Sequence, residues 1–365
     1  MQMALPLDGW LPQLLSPQAD VAERAREALG ASLASMDEAL RDRAAELLLR
    51  ALGRDQPALT AEALHLLQAS WFPTSPALAE RAVQAVLDAL PHLDAEAPAV
   101  EDAALLLASV CREAPGQLAA VEAALRHEHP GPRRAAAGAL GRVGEDAAPL
   151  CGSLVDALAD SHTGVGDAAL LSLCALAPLA VEVVAPALLD VARVAQGPRR
   201  YQALTALRGL LEEARTEGQA QPEGLAAIDD VLLQAMSSDD AATRLEATAC
   251  SGALGDTSAP VRAGLCARLE DPSPEVRAHA ACALLRLESS HQDALAVLQA
   301  LLQHADPAPQ QAAMSALEGL EAAVLGQRPL HALLDKVSAR APTELADAIR
   351  ELQRLGETAA PDTSR

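Results

Sequence analysis

A repeat of about 33 residues governs what this chain can fold into. Aligned on their turns, nine copies begin at Ser16, Arg54, Asp94, His127, Asp160, Val194, Ser238, Asp271 and His304. Nine residues into each copy stands an alanine: Ala25, Ala63, Ala103, Ala136, Ala169, Ala203, Ala247, Ala280 and Ala313. Four residues later come Leu29, Leu67, Leu107, Leu140, Leu173, Leu207, Leu284 and Leu317, with Ser251 the one exception. Alanine is abundant here, so its column alone says little, but alanine and leucine four apart lie one turn apart on a single helical face. A third apolar column follows at Val110, Val143, Leu176, Leu210, Leu254, Leu287 and Leu320, while the first two copies carry Ser32 and Ser70 there. Those two copies are degenerate, as end copies of an array often are.

The copy from Asp271 shows the design: Asp-Pro-Ser-Pro-Glu-Val-Arg-Ala-His-Ala-Ala-Cys-Ala-Leu-Leu-Arg-Leu. Ser273 can accept from the free N–H groups of a first turn, Pro274 suits the first helical position, and Glu275 complements the positive end of the helix dipole. Val276, Ala280, Ala283, Leu284 and Leu287 then form one apolar stripe. A second helix is expected over Gln292 to Gln303, with Leu295, Leu298, Leu301 and Leu302 inward. Two helices cannot enclose a core alone, so each copy must stack on its neighbours. The same capping pattern recurs at His129-Pro130 and Asp306-Pro307, and at Asp240 without proline.

This pattern resembles the short bacterial form of the HEAT repeat, whose first helix reads D-P-x-P-x-V-R-x-x-A-x-x-A-L-x-x-L. The match is close at Asp271 to Leu287 and good from His127 to Gly144, and the resemblance covers about Ser16 to Leu325. It implies an all-α, right-handed α-solenoid (superhelix) of about nine stacked two-helix HEAT-like repeats, on the order of 80 to 100 Å long if neighbouring helices lie 8 to 10 Å apart. In that family the arginine of the V-R pair links successive repeats through hydrogen bonds near the turns. By resemblance this inter-repeat role falls to Arg133, Arg200, Arg244 and Arg277. Ala22, Thr60, Val100, Gly166 and Gln310 occupy the column elsewhere, so the ladder is expected to be discontinuous.

The register divides the chain into an N-terminal cap (1–15), the array (16–325), a pair of C-terminal capping helices (326–355) and a disordered tail (356–365). Thr343 is expected to cap the last helix. Trp10 is expected to cover the open N-terminal edge. The array lengthens at Glu212 to Gly224, whose polar Gly/Pro/Gln character predicts a projecting loop. A second long spacing surrounds Trp71 and Phe72, which read either as end packing or as an aromatic anchor for a partner.

Composition narrows the function. Aromatic content is 1% against 50% hydrophobic residues, so the core is built of Ala, Leu and Val, and almost nothing favours strands. The net charge of −22, with Lys336 the single lysine, disfavours nucleic acid and anionic membrane surfaces and leaves two readings, plain solubility or a basic protein partner. Six cysteines (Cys111, Cys151, Cys174, Cys250, Cys266 and Cys282) fall in apolar helical stretches without C-x-x-C spacing, and read as buried thiols of a reducing compartment. The first residues have no basic region and are broken by Pro6, Asp8 and Pro12, a poor export signal, so a cytoplasmic location is expected. The longest apolar stretch, Ala168 to Leu189, is interrupted by Pro178, Glu182 and Pro186 and reads as two helices of the array.

No reaction centre stands out. Deoxyhypusine hydroxylase, a HEAT-like enzyme, binds iron through repeated His-Glu pairs, whereas here only His127-Glu128 forms one. HEAT-like DNA glycosylases use a basic, aromatic face that this acidic chain lacks. No nucleophile elbow, phosphate loop or dinucleotide fingerprint occurs. Asp229-Asp230 and Asp239-Asp240 sit where carboxylates cap or solvate helices. The expectation is a non-catalytic scaffold or adaptor without cofactor or metal, gripping a protein or peptide, basic in the sharper form, along a concave face of second helices through Glu122, Asp156, Asp190, Asp229 and Asp230, with Trp71 and Phe72 as the aromatic anchor. Two rivals stay open: a HEAT-like enzyme of the bilin lyase/isomerase type, and a structural subunit of a larger assembly.

Overall fold

A computed structural model describes residues 38–52, 56–70, 76–218, 225, 227–255 and 257–358, with isolated positions before residue 38. Trp10, Trp71, Phe72 and residues 219–224 and 359–365 lie outside the described residues. Every regular element among the described residues is helical, and the fold is an all-α solenoid of stacked helical hairpins. The chain forms two compact units, residues 1–184 and 185–365.

In the first unit the helices are α1 (Glu38–Leu52), α2 (Pro57–Ser70), α3 (Pro76–Ala89), α4 (Pro98–Glu113), α5 (Leu118–Ala124), α6 (Pro130–Val143), α7 (Cys151–Ala157) and α8 (Thr163–Leu176). The first helices of successive copies, α2, α4, α6 and α8, pack side by side in one row; α1, α3 and α5 neighbour one another in a second. The alanine and leucine columns are the reason. Ala103, Ala136 and Ala169, with Leu107, Leu140 and Leu173, have no exposed surface at all. Small residues set how near the helices come. A Cβ on Gly141 of α6 would collide with Ser172 of α8, whose Oγ donates to the Ala137 carbonyl at 2.7 Å.

Helix α9 (Val181–Val194) carries the boundary. The second unit continues with α10 (Pro198–Thr216), α11 (Ile228–Met236), α12 (Ala241–Ala253), α13 (Ala259–Arg268), α14 (Pro274–Leu287), α15 (Gln292–Leu302), α16 (Pro307–Glu318), α17 (Ala322–Leu325), α18 (Arg328–Ser338) and α19 (Thr343–Thr358). Again the first helices α10, α12, α14 and α16 form one row. The leucine column's exception fits it: Ser251 is fully buried, and its Oγ donates back to the Ala247 carbonyl at 2.8 Å, so no polar group is stranded. Helix α19 packs on α17 and α18, and a close backbone approach of Gly356 to Gly326 needs both residues to lack a Cβ.

Several local expectations change. The projecting loop from Glu212 begins as helix: α10 runs on to Thr216, because Arg208 pairs with Glu212 one turn on at 3.2 Å and Arg215 pairs with Glu321, which also holds Arg286 at 3.3 Å. Gly218, at φ +66°, then ends the helix in the left-handed conformation that glycine alone adopts cheaply. Residues 356–358, expected in the tail, are helical, since α19 continues to Thr358. Ser273 and Asp240 cap their helices as their spacing implied, accepting from Val276 N (3.4 Å) and Thr243 N (2.9 Å), but His129 and Asp306 make no such bond. Cysteines are not uniformly inside. Cys111, Cys151, Cys250 and Cys282 are buried, Cys174 is half-buried and Cys266 is exposed, since Val261 and Leu265 take the inward side of α13. Burial pushes the thiols of Cys111 and Cys174 up to about 11 and that of Cys282 to about 12.

Candidate interaction surface

In several copies the edge where one copy turns into the next is organised by two side chains. The first is the residue that opens the copy. In the first unit Asp94, His127 and Asp160 accept the backbone N–H two residues on, at 2.9, 3.0 and 2.8 Å. In the second unit Ser238, Asp271 and His304 do the same, at 3.2, 3.0 and 3.0 Å. These side chains share only an acceptor atom at the right reach, which is why the position tolerates Asp, Ser and His. A histidine doing this must leave Nδ1 unprotonated.

The second is the arginine six residues later. Arg133 places Nη1 on the His127 and Glu128 carbonyls, both at 2.9 Å, and its Nε and Nη2 grip Asp160 of the following copy at 2.7 and 2.8 Å. Arg244 repeats this with the Ser238 and Asp239 carbonyls, both at 3.0 Å, and with Asp271 at 2.9 Å through each nitrogen. Each clamp ties a turn to the next copy by a bidentate, charge-assisted pair. For Asp271, burial alone would raise the carboxyl, yet Arg244, the Ser273 N–H and Arg268 outweigh it and hold it below the usual carboxylate range. Asp160 is likewise lowered, chiefly by its bonds from Arg133. The other two arginines differ. Arg200 spends Nε and Nη2 on the Ala192 and Arg193 carbonyls at 2.7 and 3.0 Å. Arg277 holds the Asp271 and Pro272 carbonyls at 2.7 and 3.1 Å and grips no carboxylate among the described residues. Gln310, in the same column, reaches the His304 carbonyl at 2.6 Å.

The second-helix acids stand in unequal surroundings. In the first unit Glu122 of α5 is half-buried and accepts from Ser153 Oγ of α7 at 2.6 Å; Asp156, one turn beyond Ser153, is exposed. These two therefore belong to one row spanning adjacent copies. In the second unit Asp190 is exposed but faces Arg193 at 2.8 Å. Asp229 and Asp230 lie in the first turn of α11, half-buried and exposed respectively, where the helix dipole favours negative charge. Trp71 and Phe72 lie outside the described residues.

Of the acidic pairs, one member has a clear structural role. Asp240 is held below its ordinary value by the Thr243 hydroxyl and the Thr243 and Ala242 N–H groups, so it stays an ionised helix cap near neutrality. No group of three His, Cys, Asp or Glu side chains with metal-binding geometry occurs among the described residues. No described helix is long and apolar enough to cross a membrane. An open cleft of about 480 Å³ lies at the end of α15, bounded by Leu302, Gln303, His304, Gln310 and Arg340. Sequence reasoning missed Asp160 and Asp271 as clamp acids. The signal was present: each stands 27 residues after a column arginine, at a copy start.

Comparison with known proteins agrees with the helical-repeat fold. Residues 262–353 match the family model of HEAT repeats. No curated protein matches the sequence. Among solved structures, an engineered protein superposes with a TM-score of 0.52 at 18% identity, over 96% of this chain and 98% of that one. Importin beta gives 0.57 at 15% identity, over 95% of this chain and 50% of importin beta. Kap121p bound to Nup53p gives 0.53 at 15% identity, over 98% of this chain and 42% of Kap121p. The chain thus spans half or less of the length of importin beta and Kap121p, and at these identities the likeness is one of fold.

Proposed function

We propose that this chain, whose residues 262–353 are HEAT repeats, is a non-catalytic scaffold that holds a protein or peptide partner along the face of its second helices. One observation carries the reading. The clamps Arg133–Asp160 and Arg244–Asp271 of the turn edge are committed to holding the copies together, while Asp156 and Asp230 on the second helices face solvent. A face of that kind can vary in side chains without disturbing the frame, which suits recognition rather than reaction. The likeness to Kap121p supports the reading, because that protein is known bound to the protein Nup53p.

In its sharper form the partner carries a basic segment. Glu122 and Asp156 supply adjacent negative charge on α5 and α7, and Asp190, Asp229 and Asp230 supply it on α9 and α11. Such contacts act mainly on encounter rate and partner choice. The sign of the whole chain agrees, and weighs against a nucleic-acid ligand. The test is affinity capture with mass-spectrometric identification, followed by titration of the captured partner against Glu122→Gln/Asp156→Asn and against Asp190→Asn/Asp229→Asn/Asp230→Asn. At least one set is expected to weaken binding and flatten its salt dependence. Unchanged affinity and salt slope in both would remove the electrostatic part of the proposal. A coloured small ligand co-purifying with the chain would favour an enzyme of the bilin lyase type instead.

A further inference from the structure

We infer that the guanidinium of Arg277 is an unfilled carboxylate socket, built to take an Asp or Glu side chain from a partner protein where its sister arginines hold a carboxylate of this chain. The argument rests on internal comparison. Arg133 and Arg244 are fixed alike: Nη1 sits on the two carbonyls five and six residues upstream, which leaves Nε and Nη2 as a fork aimed at the residue 27 positions downstream. In both cases that residue is an aspartate, held through both oxygens. Arg277 has the same upstream anchors, on Asp271 and Pro272. The residue 27 positions downstream of it is His304.

An imidazole cannot replace the carboxylate. It has no pair of coplanar oxygens, and the Nδ1 of His304 already accepts the Asp306 N–H at 3.0 Å. The fork of Arg277 therefore has no acceptor among the described residues, though its orientation is set by the same two bonds that set the working clamps. Arg200 is not a second socket, because its fork is used on the Ala192 and Arg193 carbonyls. The place is reachable from solvent. Arg277 is only half-buried, the His304 side chain is 46% exposed, and the cleft at the end of α15 opens beside His304.

The local charges suit the ligand. Arg340 lines the cleft that His304 also borders. The acid at this turn, Asp306, is 79% exposed and lies 3.7 Å from His304 Nδ1. The chain's overall negative charge repels anions at a distance, but screening over about 8 Å at physiological salt leaves the nearest groups to decide. A planar fork with two parallel N–H donors selects a planar carboxylate. The socket is on the turn edge, so it neither needs nor supports the second-helix reading above, and the variants that test one leave the other untouched.

The test uses the full-length chain, ¹⁵N-labelled, with the Nε–H resonance of Arg277 identified by its loss in Arg277→Gln. The probe is the peptide acetyl-Ser-Asp-Pro-Ser-amide, which copies the pattern of this chain's own clamp turn, against the same peptide with Asn for Asp. The aspartate peptide is expected to shift the Arg277 resonance saturably at millimolar concentration, and the asparagine peptide to bind at least tenfold more weakly. His304→Asp fills the fork from within, and is expected to move the resonance before any peptide is added and to abolish the response. No shift with the aspartate peptide, an equal response to both peptides, or a response that survives in His304→Asp would each overturn the socket.

Discussion

Replacing Asp271 by Asn tests whether the inter-repeat clamp bears as much of the fold as its geometry says. The Asp271 side chain has no exposed surface, and Arg244 retains only 10% of its own. The carboxylate takes Arg244 through both oxygens at 2.9 Å, Arg268 at 3.3 Å and the Ser273 N–H at 3.0 Å. Asn keeps the volume and one acceptor oxygen, but turns an NH₂ toward donors and leaves the Arg244 charge without a counterion. Breaking a buried pair from one side costs about 3 to 5 kcal/mol. The carbonyls of Ser238 and Asp239 still hold Arg244 Nη1, so the lower end, about 3 kcal/mol, is expected. Because arrays can unfold piecemeal, the assay is hydrogen exchange of α12 and α14 alongside urea unfolding followed by circular dichroism. A loss under about 1 kcal/mol, the size of an exposed ion pair, would refute the claim that the clamp is a buried structural joint. The sign of the pH dependence follows from the lowered carboxyl. With a folded pKa below the unfolded value, the clamp's contribution is complete above the unfolded pKa of about 3.9 and is lost as pH falls through the folded one. The Asn variant should lack that acid-labile component.

Three further outcomes follow from the same geometry. His304→Asp supplies the missing clamp acid to Arg277 while keeping the turn acceptor, and should raise the urea midpoint by the equivalent of about 1 kcal/mol, read by denaturant titration. Gly141→Ala should destabilise by about 1 to 3 kcal/mol, because its methyl overlaps Ser172, whereas Gly209→Ala in α10, with nothing near its Cβ position, should stabilise by about 0.5 to 1 kcal/mol; thermal unfolding of the two variants gives opposite signs. Arg215→Met removes one of two cations on Glu321, and amide exchange is expected to speed up over Glu212 to Thr216 and around Ala322 with little change in α12.

The first-helix row was legible because its period is written in residue types whose only role is to be small or to fill. Ala136 and Leu140 say which face is buried before any coordinates exist, and Pro130 or Pro274 says where the helix starts. The turn edge was half legible. The column holding Arg133 and Arg244 pointed to the right atoms but not to their partners Asp160 and Asp271, since a pairing across 27 residues has no local pattern. His127 and His304 hid a turn role because histidine is not among the usual Asp, Asn and Ser turn acceptors. The extension of α10 was misread because Gly218 and the polar residues after it dominate the composition, whereas the residues that keep the helix going, Arg215 and Glu321, meet only in three dimensions.

The division of labour between the two edges bears on function. A catalytic site needs polar groups that are both buried and unspent, so that their energy is released on substrate. Here the clamp groups on the turn edge are spent on the chain itself: Asp271 serves three nitrogen donors besides Arg268, and Arg133 serves three acceptor groups. Removing any one loosens a joint between copies and so costs stability before it costs a ligand. The second helices carry the opposite arrangement, with Asp156 and Asp230 exposed on a backbone held from the other side of each hairpin. Changes there alter charge and shape at a surface whose position is already fixed, and this separation lets a repeat array exchange one partner for another without a new fold. Arg277 is the point where the separation fails. It is placed like a structural joint and left open like a binding group, so His304→Asp should convert it wholly to the first role, gaining stability and losing any carboxylate ligand in the same variant. A variant that gained stability yet kept such a ligand would show that the two edges are not divided in this way.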